Sequence, residues 1–179
     1  KLSQTNTSNL TPFTAASTIG QTCGIWLNSN NATINTGAGI TLIGKLTITN
    51  GTANIGNAAD EDILSSGGSI TMNGGALNIA GKYYNVGINN LSYFSISNGT
   101  VTVPSIGSTN TNYAPFHITG VGSQFNQTGG LIIIPREGGG GAQNYGFTNT
   151  GSIGGSVTGG TLQIGSAATP AGQTMILNT

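Results

Sequence analysis

Few side chains in this sequence can do chemistry, and their spacing limits what they can do. The acids are Asp60, Glu61, Asp62 and Glu137, the bases are Lys1, Lys45, Lys82 and Arg136, and His117 and Cys23 are the sole histidine and cysteine. Glycosidic cleavage needs two carboxylates set on either side of the bond. Asp60, Glu61 and Asp62 are consecutive and belong to one loop, so they cannot all flank a substrate. They are also weak calcium candidates, because carboxylates are hard oxygen ligands. The run lacks the glycine-turn spacing of a calcium loop, and a solvated loop is the plainer expectation. His117, between Phe116 and Ile118, points outward by alternation and has no Ser-Asp or Cys partner in the pattern, so a surface histidine is expected. Arg136-Glu137 and the glycines Gly138 to Gly141 lack the Lys-Ser/Thr ending of a phosphate loop and read as a corner loop. A lone cysteine excludes an internal disulfide framework and a four-cysteine zinc site. Cys23 is expected to be a buried small apolar side chain. No catalytic residue, metal or cofactor is expected.

A larger array is made of hydroxyls and amides. Thr47 and Thr49, Thr71 and Asn73, Ser95 and Ser97, Asn126 and Thr128, and Ser156 and Thr158 recur as alternate residues in successive segments. Stacked, they form two parallel columns on a flat face. Such a face suits a glycan or, by analogy with other two-column threonine arrays, an ice lattice. The Ser and Asn positions reduce the regularity that an ice lattice requires. Threonine also fits strands and keeps a low-charge surface wet.

The elements that would carry these columns are a repeat. Segments 46–55, 70–79, 94–103, 125–134 and 155–164 align on Gly51, Gly75, Gly99, Gly130 and Gly160, spaced 24, 24, 31 and 30 residues apart. A degenerate period with insertions between copies marks a solenoid. Each copy alternates with period two, which puts Leu46, Ile70, Phe94, Phe125 and Gly155 in one inward column and Ile48, Met72, Ile96, Gln127 and Val157 in another. After the glycine the inward residues are Ala53, Leu77, Val101, Ile132 and Leu162, followed two places on by Ile55, Ile79, Val103, Ile134 and Ile164. Asn-Gly or Gly-Gly supplies a corner between the two arms. Gln127 needs hydrogen-bond partners inside, and Gly155 leaves a gap. Leu131 and Ile133 form an outward apolar pair.

A third apolar segment recurs at Ile63-Leu64, Val86 to Ile88, Phe116 to Ile118, Tyr145 to Phe147 and Met175 to Leu177. Ala32 to Ile34 and Ile40 to Leu42 read as the arms of a first, poorly conforming copy. Asn-Gly is also a hairpin signal, but hairpins do not explain the recurring third segment. The expectation is an all-β, right-handed parallel β-helix with three strands per rung and about six rungs. Handedness follows from the preference of parallel crossovers. Residues 1–22 read as an irregular lead-in or atypical first rung and 23–179 as the β-helix segment.

Composition narrows the partners. Only 4% of the 179 residues are charged and the formal net charge is zero, which argues against nucleic acid and against an anionic membrane surface. No window approaches the ~20 apolar residues of a membrane helix. The start at Lys1 and the strand-like tail Met175 to Thr179 suggest a processed or excised segment, or one on which another copy stacks through its open sheet ends.

Cys23 to Asn28 (Cys-Gly-Ile-Trp-Leu-Asn), Gly159 to Gly165 (Gly-Gly-Thr-Leu-Gln-Ile-Gly) and Thr169 to Thr174 (Thr-Pro-Ala-Gly-Gln-Thr) resemble the repetitive β-helix segments of large secreted bacterial surface proteins. These include autotransporter passengers and, more closely, adhesin-like proteins of type IX secretion. The resemblance spans roughly residues 23–179. It implies an extracellular or cell-surface location and a non-enzymatic stalk or adhesive role. The alternatives are an ice- or glycan-binding β-helix using the Thr/Ser/Asn face and a subunit of a head-to-tail filament.

Overall fold

The computed structural model describes residues 9–13, 15–85, 90–104, 113–135, 145–150, 155–169 and 175–178. Fourteen strands follow along these residues: β1 (Asn9–Phe13), β2 (Ser17–Ile19), β3 (Gly24–Thr36), β4 (Ile40–Leu42), β5 (Lys45–Ile55), β6 (Ile63–Ser65), β7 (Ser69–Ile79), β8 (Tyr83–Asn85), β9 (Tyr93–Thr102), β10 (Phe116–Ile118), β11 (Gln124–Ile134), β12 (Tyr145–Asn149), β13 (Ser156–Ile164) and β14 (Met175–Asn178). The odd-numbered strands form one seven-stranded sheet and the even-numbered strands a second, each in chain order. Every pairing is parallel. The chain therefore alternates between sheets and advances one strand each time, an arrangement compatible with a parallel β-solenoid or β-helix and incompatible with hairpins.

The repeat sets the register. Thr52 pairs with Ala76, Ala76 with Thr100, Thr100 with Leu131 and Leu131 with Thr161, so the glycines one place earlier fall in line. Gly51, Gly75, Gly99, Gly130 and Gly160 all have positive φ, from 68° to 93°. The pairs beside them are interrupted or shifted. The two arms that alternation separates at the glycine thus lie in one continuous strand of one sheet, with an irregular joint between them. A Cβ on Gly99 would stand 2.6 Å from the carbonyl oxygen of Gly75, so space as well as φ demands glycine there.

Two segments differ from the sequence expectation. The first copy is Ile25 to Asn35, because Ile25 pairs with Leu46, Leu27 with Ile48 and Ile34 with Ala53. It lacks the corner glycine, and an insertion around Ser29 to Asn31 hides its alignment. The short strand of the third interval is Tyr83 to Asn85, three residues before the expected Val86 to Ile88, which lie outside the described residues along with the Arg136 to Gln143 loop. β1 and β2 within the lead-in occupy one end of each sheet.

Between the sheets the inward columns are buried. Leu46, Ile48, Ile70, Met72, Phe94 and Ile96 are all within 2% of full burial, each side chain contributing roughly 1.5–3 kcal/mol by its transfer from water. The packing turns from aliphatic to aromatic along the stack. Phe94 and Phe125 from the long strands meet Tyr83, Phe116 and Phe147 from the short ones, with ring centroids 4.8–6.0 Å apart, where edge-to-face contacts add to burial. Gln127 is buried, and its Nε2 donates to the Thr161 carbonyl at 3.2 Å, which answers its need for a partner. Val157 belongs to the same inward column yet is 66% exposed. It stands on β13, the last long strand described, and Gly155 beside it is exposed too.

Cys23 is exposed. It sits in the turn before β3, where its amide bonds Gly20 and its carbonyl accepts from Lys45, so its side chain never enters the alternating pattern that would have carried it inside.

Candidate functional site

Two outer faces concern function. On the long-strand sheet, Thr47, Thr71, Ser95, Asn126 and Ser156 stack in unbroken register, headed by Trp26. The second column is less regular. Asn73 pairs with Asn98 in place of Ser97, and Thr128 pairs with Gly159 in place of Thr158, because bulges fall beside the corner glycines. All ten side chains are half-buried or exposed. Several of these polar groups are already engaged. Trp26 Nε1 donates to Thr49 Oγ1 at 3.0 Å, Ser97 Oγ to Asn73 Oδ1 at 3.0 Å, and Ser156 N to Asn126 Oδ1 at 3.0 Å. On the second arms an asparagine ladder runs Asn78 to Asn54 to Asn35, its amides linked at 2.8 and 2.7 Å. Leu131 and Ile133 are half-buried.

The second face belongs to the short-strand sheet. Each three-residue strand presents its middle residue outward, and the register aligns Thr18, Thr41, Leu64, Tyr84 and His117. A groove of about 410 Å³ runs over the first four, walled by Gly39 and by Asp60, Glu61 and Asp62. Of the charged residues described, only Lys45 lies away from this region.

The acidic loop is internally committed. Glu61 Oε2 accepts from the amides of Asn57 and Ala58, the latter at 2.7 Å. Asp62 Oδ1 accepts from the Lys82 amide at 2.6 Å. Asp60 holds a left-handed backbone with φ 58°. Among the described residues no group of three or more His, Cys, Asp or Glu side chains is placed to hold a metal. Burial pushes the Asp62 carboxyl above its usual range, against the pull of the Lys82 amide.

Lys82 is fully buried, and its Nζ donates to the Tyr113 carbonyl at 2.8 Å. Burial lowers its pKa, and the nearby Asp62 and Asp60 charges offset part of that shift. Tyr113 stacks on Tyr84, with centroids 4.9 Å apart and planes 12° from parallel, and reaches His117 at 5.1 Å. His117 does point out of the sheet, but Tyr113 covers it and leaves it only 9% exposed. The surface position expected from alternation is therefore a covered one. Its Nε2 lies 3.3 Å from Thr119 Oγ1, and its Nδ1 is buried without a partner. Burial, with a smaller contribution from the Lys82 charge, pushes its pKa down to about 4.

Sequence reasoning missed Tyr84 and Lys82 because it set this short strand three residues late. The alternation of Lys82-Tyr83-Tyr84-Asn85 just after Gly81 was the available signal. Among the described residues no helix is long and apolar enough to cross a membrane. Comparison with protein-family models, curated proteins and solved structures finds no match for the chain.

Proposed function

We propose that the chain is a right-handed β-helix with three straight segments per rung and about six rungs. In this reading it acts outside the cell as a non-enzymatic stalk or surface-contact segment of a secreted bacterial surface protein. The carrying observation is the in-register stack. Inward columns stay apolar while outward ones are mostly hydroxyls and amides, a build that gives length and rigidity coil by coil. The right hand follows from the preference of parallel crossovers. Two of the three groove carboxylates already hold backbone amides, which favours a scaffold over a catalyst.

The second reading, a subunit in a head-to-tail filament, is favoured by Val157 and Leu177. They lie on β13 and β14 and are 66% and 62% exposed. Another coil laid on these strands would cover both and continue the hydrogen-bond ladders. Electron microscopy and mass photometry across a concentration series separate the two. The stalk reading expects monomeric rods at all concentrations. Concentration-dependent end-to-end stacks abolished by Val157→Lys would establish the filament instead. Release of new reducing ends from any oligosaccharide by the purified chain would end the non-enzymatic reading.

A further inference from the structure

We propose that the groove over the short-strand sheet binds a neutral saccharide, with Tyr84 as the ring against which the sugar packs. The inference rests on the surface-contact reading above and gives it a site different from the Thr/Ser/Asn face. Four features carry it. The groove is shallow and open, with a volume of about 410 Å³ that falls within the ~300–1,000 Å³ usual for small-molecule sites. Its floor alternates chemistry along one column, with hydroxyls on Thr18 and Thr41 and then the apolar Leu64. A sugar ring has the same mixture, with hydroxyls around the edge and C–H groups on its faces.

The third feature is a braced aromatic end wall. Tyr84 is stacked by Tyr113, whose carbonyl is tied by the buried Lys82 ammonium at 2.8 Å, while the Lys82 amide is tied to Asp62. An aromatic ring fixed in this way offers apolar area at little entropic cost, with a hydroxyl at its rim. The fourth feature is charge. Asp60, Glu61 and Asp62 at the wall disfavour an anionic sugar, and a carboxylate that already holds backbone amides, as Glu61 and Asp62 do, keeps further lone pairs that accept from sugar hydroxyls. A cation is the weaker fit, because Glu61 and Asp62 are already compensated by backbone amides.

The test is a titration of the ¹⁵N-labelled chain with maltohexaose, cellohexaose and chitohexaose, and separately with oligogalacturonate, followed by amide chemical shifts. At least one neutral oligosaccharide is expected to move the amides of Thr18, Thr41, Leu64 and Tyr84. Tyr84→Ala is expected to weaken that binding about tenfold or more, equivalent to ~1.4 kcal/mol, while Thr47→Val leaves it unchanged. The shift map on the unaltered chain stands even if Tyr84→Ala folds poorly. Three outcomes overturn the proposal: silence from all three neutral sugars, a response to oligogalacturonate alone, or shifts confined to the Thr47, Thr71 and Ser95 face. The last would leave the surface-contact reading standing and remove only the groove.

Discussion

At the scale of single residues, two positions show how context sets cost. Gly99 and Gly67 both have positive φ, 93° and 88°, but a Cβ on Gly67 meets nothing within 4 Å, whereas one on Gly99 would meet Gly75 and Gly74 backbone. Gly67→Ala carries only the conformational strain of about 1 kcal/mol, and Gly99→Val should cost roughly 1–3 kcal/mol more. Urea unfolding midpoints of the two variants check this, and equal losses would show that the corner backbone yields freely. His117 gives a pH signature. Its folded pKa is about 4 against an ordinary 6.5, so below pH 6.5 the unfolded chain takes up a proton that the folded chain refuses. Stability should fall as pH drops from about 6.5 to about 4 and then level off. Asp62, whose pKa is raised, works in the opposite sense and adds stability as pH falls through its folded value. Comparing melting temperatures of the parent and His117→Gln across this window isolates the histidine. Parallel pH profiles would refute its role.

At the scale of elements, the short strands carry a buried polar stack where apolar residues would be expected. Asn85 Nδ2 donates to the Ser65 and Asn90 carbonyls at 2.9 and 2.7 Å and to Ser92 Oγ at 2.9 Å. Its Oδ1 accepts from Ser123 Oγ at 2.8 Å and from the Gly120 amide at 3.1 Å. One amide thereby joins three coils and satisfies the turns that connect the sheets. Asn85→Leu keeps the volume but strands these partners away from water, and should cost roughly 2–4 kcal/mol. Asn54→Ala removes both links of the half-buried outer ladder and should cost less, on the order of 1 kcal/mol. Chemical denaturation of both variants tests the order, and a reversal would mean that the outer ladder holds the coils in register. Neither network was foreseen. Asn35, Asn54 and Asn78 are visible in the sequence but share a column only once the hidden first copy is aligned. Ser65, Asn85 and Ser92 look like turn residues until the short strands are placed.

At the scale of the whole molecule, stability should follow nearest neighbours along the stack. Coils around β7 and β9 have parallel neighbours on both sides and closed cores, whereas among the described residues β13 pairs with β11 alone and leaves Val157 exposed. Amide exchange should therefore be slowest in β7 and β9 and distinctly faster in β13. Uniform protection in the isolated chain would show that the stack opens as one unit, or that something covers β13. The same architecture explains why charge is sparse. With 4% charged residues, the fold draws on burial and backbone ladders, and of the charged residues described, Asp60, Glu61, Asp62 and Lys82 gather at or beside the groove.

The sequence by itself determined the all-β class, the parallel register of β5, β7, β9, β11 and β13 about their glycines, and most of the residues of these strands that face inward. Period-two alternation and a glycine that must adopt positive φ are local constraints, and local constraints are written residue by residue. It also placed the outward column of Thr47, Thr71, Ser95, Asn126 and Ser156, since alternation gives direction without reference to neighbours, while the bulges beside the glycines shifted the second column. Only the tertiary structure decided what those directions meet. The short strand β8 lies at Tyr83 to Asn85 because its partners at Ile63 and Phe116 select it, and three-residue segments carry too little pattern to select themselves. Tyr113 covers His117, the Tyr113 carbonyl accepts from the buried Lys82 ammonium, and Asp60 to Asp62 wall a groove with Tyr84. The last two join residues more than twenty positions apart, and the first depends on a turn between neighbours, so no spacing rule in the chain announces them.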